Sequence, residues 1–438
     1  MINRLPLKPI VLALTFALLS TSPTIADNIA NSDKNLLDRL VVEALSTNQE
    51  LQAAASRWEM YTQKVVPAQA LNDPRLSVGL VNYPADSLAT DEIAMTGTDL
   101  RLEQAFPFPG KLGLKGKVAE QKATWFEALY KDLRYEVVRQ VNDAWYRLYA
   151  VEQSLRLIRS NIVSVEQLVQ LAETRYAVGQ GMQKDVLQAQ LQRSRLLDRE
   201  LELTRQREGV VAELTALLNR NEPVHVEMPA SLDEPGAIPD LKDSVDAVAG
   251  NRPVFMAYQA LVDQYEAESA LAEKDYYPDF GLWASYRVRD DNLPDGGEDF
   301  ISAGISMNLP IYLEKRRAKV ADAKAGLTMA KRQYRQLVNR VSADLADSHA
   351  QLERSRNRVL LFKSGIVPQA ELTYEAGLRA YQVGKIQFKE LIDSLMSLYS
   401  YEAEYHQSLS SFYRALARFE RLAGSTPALL DEQTGEQP

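Results

Sequence analysis

Tyr176-Ala177-Val178-Gly179 and Tyr381-Gln382-Val383-Gly384 are one turn written twice, about 205 residues apart. The likeness spreads outward from them. Ser160-Asn161-Ile162-Val163 returns as Ser364-Gly365-Ile366-Val367, Asp73-Pro74 as Tyr277-Pro278, and Phe106-Pro107 as Leu309-Pro310. The offset drifts only from 203 to 205, so few insertions separate the copies. Solenoid repeats are far shorter, about 20–50 residues. The chain therefore reads as a duplicated half of one structure, with the halves in equivalent places about a pseudo-twofold or within a ring.

Each copy holds the same order of elements. The first has a helical segment from Leu36 to Ala70, strands near 75–82 and 99–105, and a long helix from Lys117 to Val178. In that helix Phe126, Leu129, Leu133, Val137, Val141 and Trp145 begin an apolar series that continues to Val165. Its spacing of about 3.5 residues is that of a coiled-coil seam. Sixty-two residues at 1.5 Å each extend about 93 Å, longer than an ordinary domain. Gly179-Gln180-Gly181 breaks the helix, and a second one returns over Lys184–Leu218. The linker 219–240 carries Pro223, Pro229, Pro235 and Pro239. Copy two repeats the plan with a helix near 242–276, strands near 279–288 and 300–309, and helices near 315–382 and 387–423. Gly365 and Pro368 predict a kink in its long helix.

Two stacked helices of about 35 residues match one long helix, so each chain supplies four rods of similar length. The Leu218 and Leu241 ends are expected to meet at the linker. Such rods close into a helical tube. The strands alternate: Phe280, Leu282, Ala284 and Tyr286 lie between Gly281, Trp283, Ser285 and Arg287, and Leu100 and Leu102 between Asp99, Arg101 and Glu103. One apolar and one polar face over nine or ten residues suits a transmembrane barrel strand. Four strands cannot close a barrel, and lipid forbids an open edge, so several chains must share it. Two chains give eight strands; three give twelve, enough for a water-filled lumen. A soluble coiled coil with half-buried hairpins is the alternative.

Residues 1–26 read as a secretory signal: Arg4 and Lys8 precede the apolar run Ile10–Leu19, and Thr24-Ile25-Ala26 suits cleavage after Ala26. Residues 27–218 form the first repeat, 241–424 the second, and 425–438 a loose polar tail. There is no cysteine, which removes disulfides, thiolate metal sites and lipid attachment through a cysteine. With 46% hydrophobic residues and a mean hydropathy of −0.28, the chain is no polytopic helical membrane protein. Its formal charge of −9 argues against nucleic acid as a partner.

This arrangement, with Tyr-x-Val-Gly at each helical turn, resembles the TolC-type outer-membrane efflux ducts over residues 36–424. The resemblance implies a mainly α fold with a small β part: a trimer whose twelve-stranded outer-membrane barrel continues as an α-helical barrel through the periplasm. Phe106-Pro107-Phe108-Pro109-Gly110-Lys111 is similar to the branch linked to heavy-metal cation efflux, although a proline-rich strand exit also has a purely structural use. Implied partners are outer-membrane lipid, a periplasmic adaptor and an inner-membrane pump, RND-type first and ABC as the alternative. The duct would be passive and cofactor-free, for small solutes such as metal cations. An ABC-driven type I protein secretion duct would use the same architecture. A periplasmic scaffold without a barrel is a third class.

No catalytic set is legible, and His225, His349 and His406 stand apart without spaced ligand partners. The resemblance implies adaptor docking at Val178, Gly179, Gln180 and Gly181 and at Val383, Gly384, Lys385 and Ile386. It also implies a gate: an acidic pair at Glu390 and Asp393, and Tyr381 bonded to Asp185 of the other copy. Family members hold a gate arginine where this chain has Ile386, so one clamp is expected to be missing. The ordinary reading of these charges is a solvated helix face.

Overall fold

The computed structural model describes residues 25–425, with side chains described from 36. The signal read at 1–26 and the tail read at 425–438 lie outside the described residues, apart from their innermost positions. Copy one comprises helices α1 (Ile25–Thr47), α2 (Gln49–Thr62) and α3 (Val65–Gln69), strands β1 (Arg75–Val81) and β2 (Gly97–Phe106), and helices α4 (Lys111–Ala177) and α5 (Gln183–Leu217). Copy two comprises α6 (Leu241–Asn251), α7 (Pro253–Lys274), β3 (Phe280–Val288), β4 (Phe300–Met307), α8 (Leu313–Leu361), α9 (Val367–Gln382) and α10 (Phe388–Ala423).

The strands form one antiparallel sheet in the order β1-β2-β3-β4, a hairpin from each copy joined through β2 and β3. Register sorts the side chains by face. Ser77, Arg101, Ser285 and Ser302 line up across the sheet, as do Gly79, Asp99, Arg287 and Phe300. On this face the Arg101 guanidinium lies 4.2 Å from the Trp283 ring centroid, and Arg287 is 3.5 Å from Asp99. The other face carries Leu76, Val78, Leu102 and Ile305, all exposed, with Ile301 81% accessible. An apolar sheet face this open needs a nonaqueous neighbour. Edge strands β1 and β4 keep free backbone groups along their outer sides.

At the strand exit the proline-rich run anchors α4. Phe108 stacks on Tyr277 with centroids 4.5 Å apart, and its amide donates to Asp279 Oδ1 at 2.7 Å. Gly110 adopts φ +89°, a left-handed conformation that glycine tolerates without strain. The helix then starts at Lys111, six residues before the expected Lys117. Lys111 is only 5% exposed, and its ammonium holds Asp279 at 2.8 Å and Asp275 at 3.5 Å. The motif thus ties the start of α4 in copy one to the start of β3 in copy two.

The 67-residue α4 extends about 100 Å and forms the spine. Its predicted seam is buried or half-buried along its length, with Val137, Val141, Trp145, Leu155 and Val165 at 2% exposure or less. Tyr61 stacks on Phe126 from α2, and Trp125 meets Tyr258 of α7, so these helices flank the first half of α4. Helices α5 and α10 flank the second half, through Arg159–Glu200 at 2.8 Å and Arg414–Asp143 at 2.7 Å.

The stacking differs from the sequence expectation in two ways. The expected continuous helices over 36–70 and 242–276 are divided. Asn48 breaks the first: its side chain accepts from the amides of Glu50 and Leu51, at 3.0 and 3.2 Å, as an N-cap. Pro253 starts α7 and holds Arg252 extended, which breaks the second. The Leu218 and Leu241 ends also do not form one rod. Instead α5 runs head-to-tail onto α2 of its own copy, where Asn48 Nδ2 donates to the Leu217 carbonyl at 3.1 Å and Thr47 Oγ1 to that of Leu218 at 2.9 Å. Likewise α10 ends at Gly424, against Asn251 and Arg252, where α7 begins. The reason is direction: within a copy, both short helices run from the turn end toward the strand end, so they stack collinearly. The linker crosses from one stack to the other. The kink expected at Gly365 and Pro368 takes the form of a π-helical turn over Phe362–Ile366, continuous with α8 and α9. Pro368, having no N–H, removes one ladder bond there.

Leu102→Arg on the apolar face should cost about 2–4 kcal/mol at mid-membrane depth. Gly79→Arg on the polar face should be tolerated, since an added Cβ there has no atom within 4 Å. Denaturant titration of the two variants folded into lipid vesicles checks the asymmetry.

Candidate functional site at the helical tip

The two repeated turns lie side by side at the end of the bundle remote from the sheet. Each ends its helix in the same way. Gly179 and Gly384 both have φ +75°. The Gln180 amide donates to the Arg175 carbonyl at 2.8 Å, and the Lys385 amide to that of Ala380 at 2.9 Å. This six-to-one bond with a left-handed glycine is a Schellman cap, which satisfies carbonyls that a helix end otherwise leaves open. Tyr176, Val178 and Val383 are exposed beside these caps, at 50%, 63% and 69%. Gly181 is constrained as well: a Cβ there would come within 3.1 Å of Arg175 Cβ and the Tyr176 amide nitrogen. Bulky replacement at Gly181 therefore disturbs the turn itself.

Beneath the turns an apolar cluster of Leu168, Ala172, Ala189, Tyr381, Phe388 and Leu391 fills the tip. Tyr381 is 4% exposed and meets Phe388 edge-on with centroids 5.4 Å apart. Burial raises its phenol above the ordinary tyrosine range; the Arg175 charge opposes this and the Asp185 charge adds to it. Tyr381 and Asp185 are thus neighbours, but the hydrogen bond expected between them is not formed. None of the described hydrogen bonds joins the phenol to a carboxylate. Arg175 holds Tyr381 instead. Its guanidinium lies 4.7 Å from the ring centroid, donates to the Tyr381 carbonyl, and reaches the Gln180 carbonyl at 3.4 Å.

One side chain from copy one thereby bridges both turns. A planar guanidinium suits this, since its donors fork while its face stacks on an aromatic ring. No arginine stands at position 386, and the guanidinium beside Tyr381 comes from the opposite copy. Ile386, at the position of the expected arginine, packs against the apolar cluster. The sequence held a signal for Arg175: its counterpart in the other copy is Ala380, so the repeat loses its symmetry at that point.

The acidic residues have a local explanation. Asp185 and Glu390 each occupy the third position of a helix whose caps are Met182 and Gln387. A carboxylate there offsets the positive end of the helix dipole. Glu390 and Asp393 are both exposed, three residues apart on one face of α10, opposite buried Leu391, Ile392 and Leu395. The structure therefore gathers Arg175, Tyr381 and Asp185, and leaves Glu390 and Asp393 as a separate exposed pair.

Among the described residues, no cluster of three or more histidine, cysteine, aspartate or glutamate side chains is placed to hold a metal. Each histidine has another partner: His225 the Pro223 carbonyl at 2.9 Å, His349 that of Pro239 at 3.2 Å, and His406 the Tyr149 hydroxyl at 2.9 Å. Burial depresses His406 to about 4, so it is neutral at ordinary pH.

Sheet, spine and paired tip turns define one chain's part of an outer-membrane duct, and comparison with known proteins agrees. Residues 40–220 and 245–425 each match the family described as Outer membrane efflux protein, and the chain belongs to that family. It is similar to the cobalt-zinc-cadmium resistance protein CzcC of Cupriavidus metallidurans, 22% identical over 383 residues, 87% of this chain and 88% of that one. It is also similar to the outer membrane efflux protein BepC of Brucella suis, 24% identical over 79% of this chain and 75% of that one. Among solved structures, the outer membrane protein VceC of Vibrio cholerae matches with a TM-score of 0.76 at 18% identity, covering 91% of this chain and 98% of that chain. The chain has the mostly helical fold with a small sheet of the TolC-like channels, and it is an outer-membrane protein that extends into the periplasm. The chain is the outer-membrane channel component of a tripartite efflux system. Family and fold are those of passive channel proteins.

Arg175→Gln should release the turns. A hydrogen bond to a charged group is worth about 1.5–3 kcal/mol, less where it is half exposed, so amides of residues 380–386 should exchange hydrogen roughly tenfold faster. Tyr381→Phe, which removes a hydroxyl with no hydrogen-bond partner among the described residues, should leave the exchange unchanged. Exchange mass spectrometry on the assembled protein distinguishes the two.

Proposed function

We propose that this channel is the exit duct for divalent metal cations of the cobalt–zinc–cadmium kind, delivered by an RND-type inner-membrane pump through a periplasmic adaptor. The observation that carries the reading is the pair of identically built turns, which present Val178 and Val383 outward at the periplasmic end. Two equivalent apolar tips per chain, six around the assembly, fit a partner that binds with matching repetition. Similarity to CzcC along 88% of that relative's length supports the cargo class.

The duct itself does no chemistry. Cargo passes a mouth where Glu390 and Asp393 form two rings of three carboxylates, which draw cations and repel anions. Arg175 acts as the clamp that keeps this mouth narrow, with Tyr381 and Asp185 as its neighbours. Three symmetric clamps could together approach the roughly 5.5 kcal/mol that separates a mostly closed from a mostly open population.

In a strain lacking the gene, the native chain should restore growth on zinc, cobalt or cadmium. Val178→Asp with Val383→Asp should fail to restore it while still assembling in the outer membrane. Full resistance in that variant would place docking elsewhere, and no metal sensitivity in the deletion strain would overturn the cargo class. In planar bilayers Arg175→Gln should raise conductance, and Glu390→Ala with Asp393→Ala should lower cation preference. Native values in both would end the gate reading.

A further inference from the structure

Beside residues 408–418 of α10, the wall formed by α4, α8 and α10 opens into a cavity of about 550 Å³. Helices α8 and α10 meet there through small or polar residues: Gln351 and Ser355 of α8 face Ser408, Ser411 and Ala415 of α10. On their other sides the same helices bury Leu345, Leu352 and Val359, and Leu409 and Phe412, in the main apolar core. Small side chains leave the volume open. Five guanidiniums, those of Arg139, Arg354, Arg358, Arg414 and Arg418, line it against the single carboxylate of Asp143.

Acids around the cavity answer only some of these charges. Glu136 takes Arg139 at 2.6 Å, Asp143 takes Arg414 at 2.7 Å, and Glu404 takes Arg358 at 3.0 Å. Asp143 is already shared, since Arg147 lies 2.8 Å from its other oxygen. Arg418 reaches Asp347 only at 3.8 Å and the Gln351 side-chain oxygen at 3.4 Å. Arg354 is exposed and has neither an ion pair nor a side-chain hydrogen bond among the described residues. Two guanidinium forks therefore face one cavity with donors to spare, beside Ser355, Ser408 and Ser411, of which Ser408 and Ser411 already donate to the Tyr405 and Gln407 carbonyls at 2.8 Å. Forked donors of this kind match the paired oxygens of carboxylate and phosphate.

The linker shows which side of the wall this is. The Tyr413 hydroxyl donates to the Asp233 carbonyl at 3.0 Å, and His349 lies 3.2 Å from the Pro239 carbonyl. At 3.6 residues per turn, Ser411, Ala415 and Arg418 lie roughly opposite Tyr413 on α10, and Arg358 lies opposite His349 on α8. The linker covers one face of the wall and the cavity opens on the other. A duct must keep its bore clear of packed chain, so the cavity faces the bore.

We propose that this groove is a binding site for small polyvalent oxyanions, with carboxylate or phosphate groups, one in each chain and three around the bore. Its placement in the bore rests on the duct reading; the binding site itself does not. The native full-length assembly in detergent, titrated calorimetrically with citrate, should bind about one citrate per chain, with inorganic phosphate competing. Arg354→Gln with Arg418→Gln should weaken binding at least tenfold, whereas Arg332→Gln, elsewhere on α8, should not. Native-like binding in the double variant, or no saturable binding in the native protein, would overturn the site. In planar bilayers, citrate should reduce the native conductance and leave that of the double variant unchanged. Conductance insensitive to citrate, with calorimetric binding intact, would overturn the bore placement. Absence of any conductance would count against the duct reading while the calorimetry still decides the site.

Discussion

A strand edge cannot lie bare in lipid, because unpaired backbone groups there cost several kcal/mol each with no water to satisfy them. This chain makes four strands with one apolar face, and β1 and β4 end as open edges. Everything else follows from that shortage. The edges must be closed by other copies, and the number of copies sets the circumference of the barrel. The helical wall below inherits that circumference, since α4, α7 and α8 leave directly from the strands or lead into them. Lys111 fixes the junction, with its buried ammonium between two aspartates at the point where strands become rods.

Duplication then solves the geometry of the wall. Each copy gives one long helix and two short ones that run the same way, so the short pair stacks into a second rod. Asn48 serves both members of one stack: it caps α2 and donates to the end of α5. Gly424 closes the other by allowing α10 to turn against Asn251. The linker, freed from bridging a rod, binds across the wall, where Arg156 donates to the Met228 carbonyl at 2.6 Å and Gln153 to that of Pro229 at 2.6 Å.

Much of this was legible in the sequence. The two-residue period marked the strands to within two residues, and the 3.5-residue series marked the face of α4 that is buried. The breaks were harder. Pro253 is a visible helix start, yet the apolar pattern runs through it and masks the boundary; Asn48 acts through a cap that pattern alone does not distinguish from a mid-helix asparagine. Stack partners are not legible, because helix lengths carry no direction. At the tip, the paired glycines are readable as caps, but Arg175 belongs to no local motif. Its role depends on a contact between copies, about 205 residues away in sequence, with Tyr381. The arginine cavity was invisible for the same reason, since its three helices meet only in the folded wall.

The central claim is that one chain contributes a third of a closed barrel. Native mass spectrometry of the protein extracted from outer membranes tests it most directly. The account predicts a complex of three chains with no smaller folded species under gentle activation. A folded monomer, or recovery from the soluble periplasm without detergent, would contradict it.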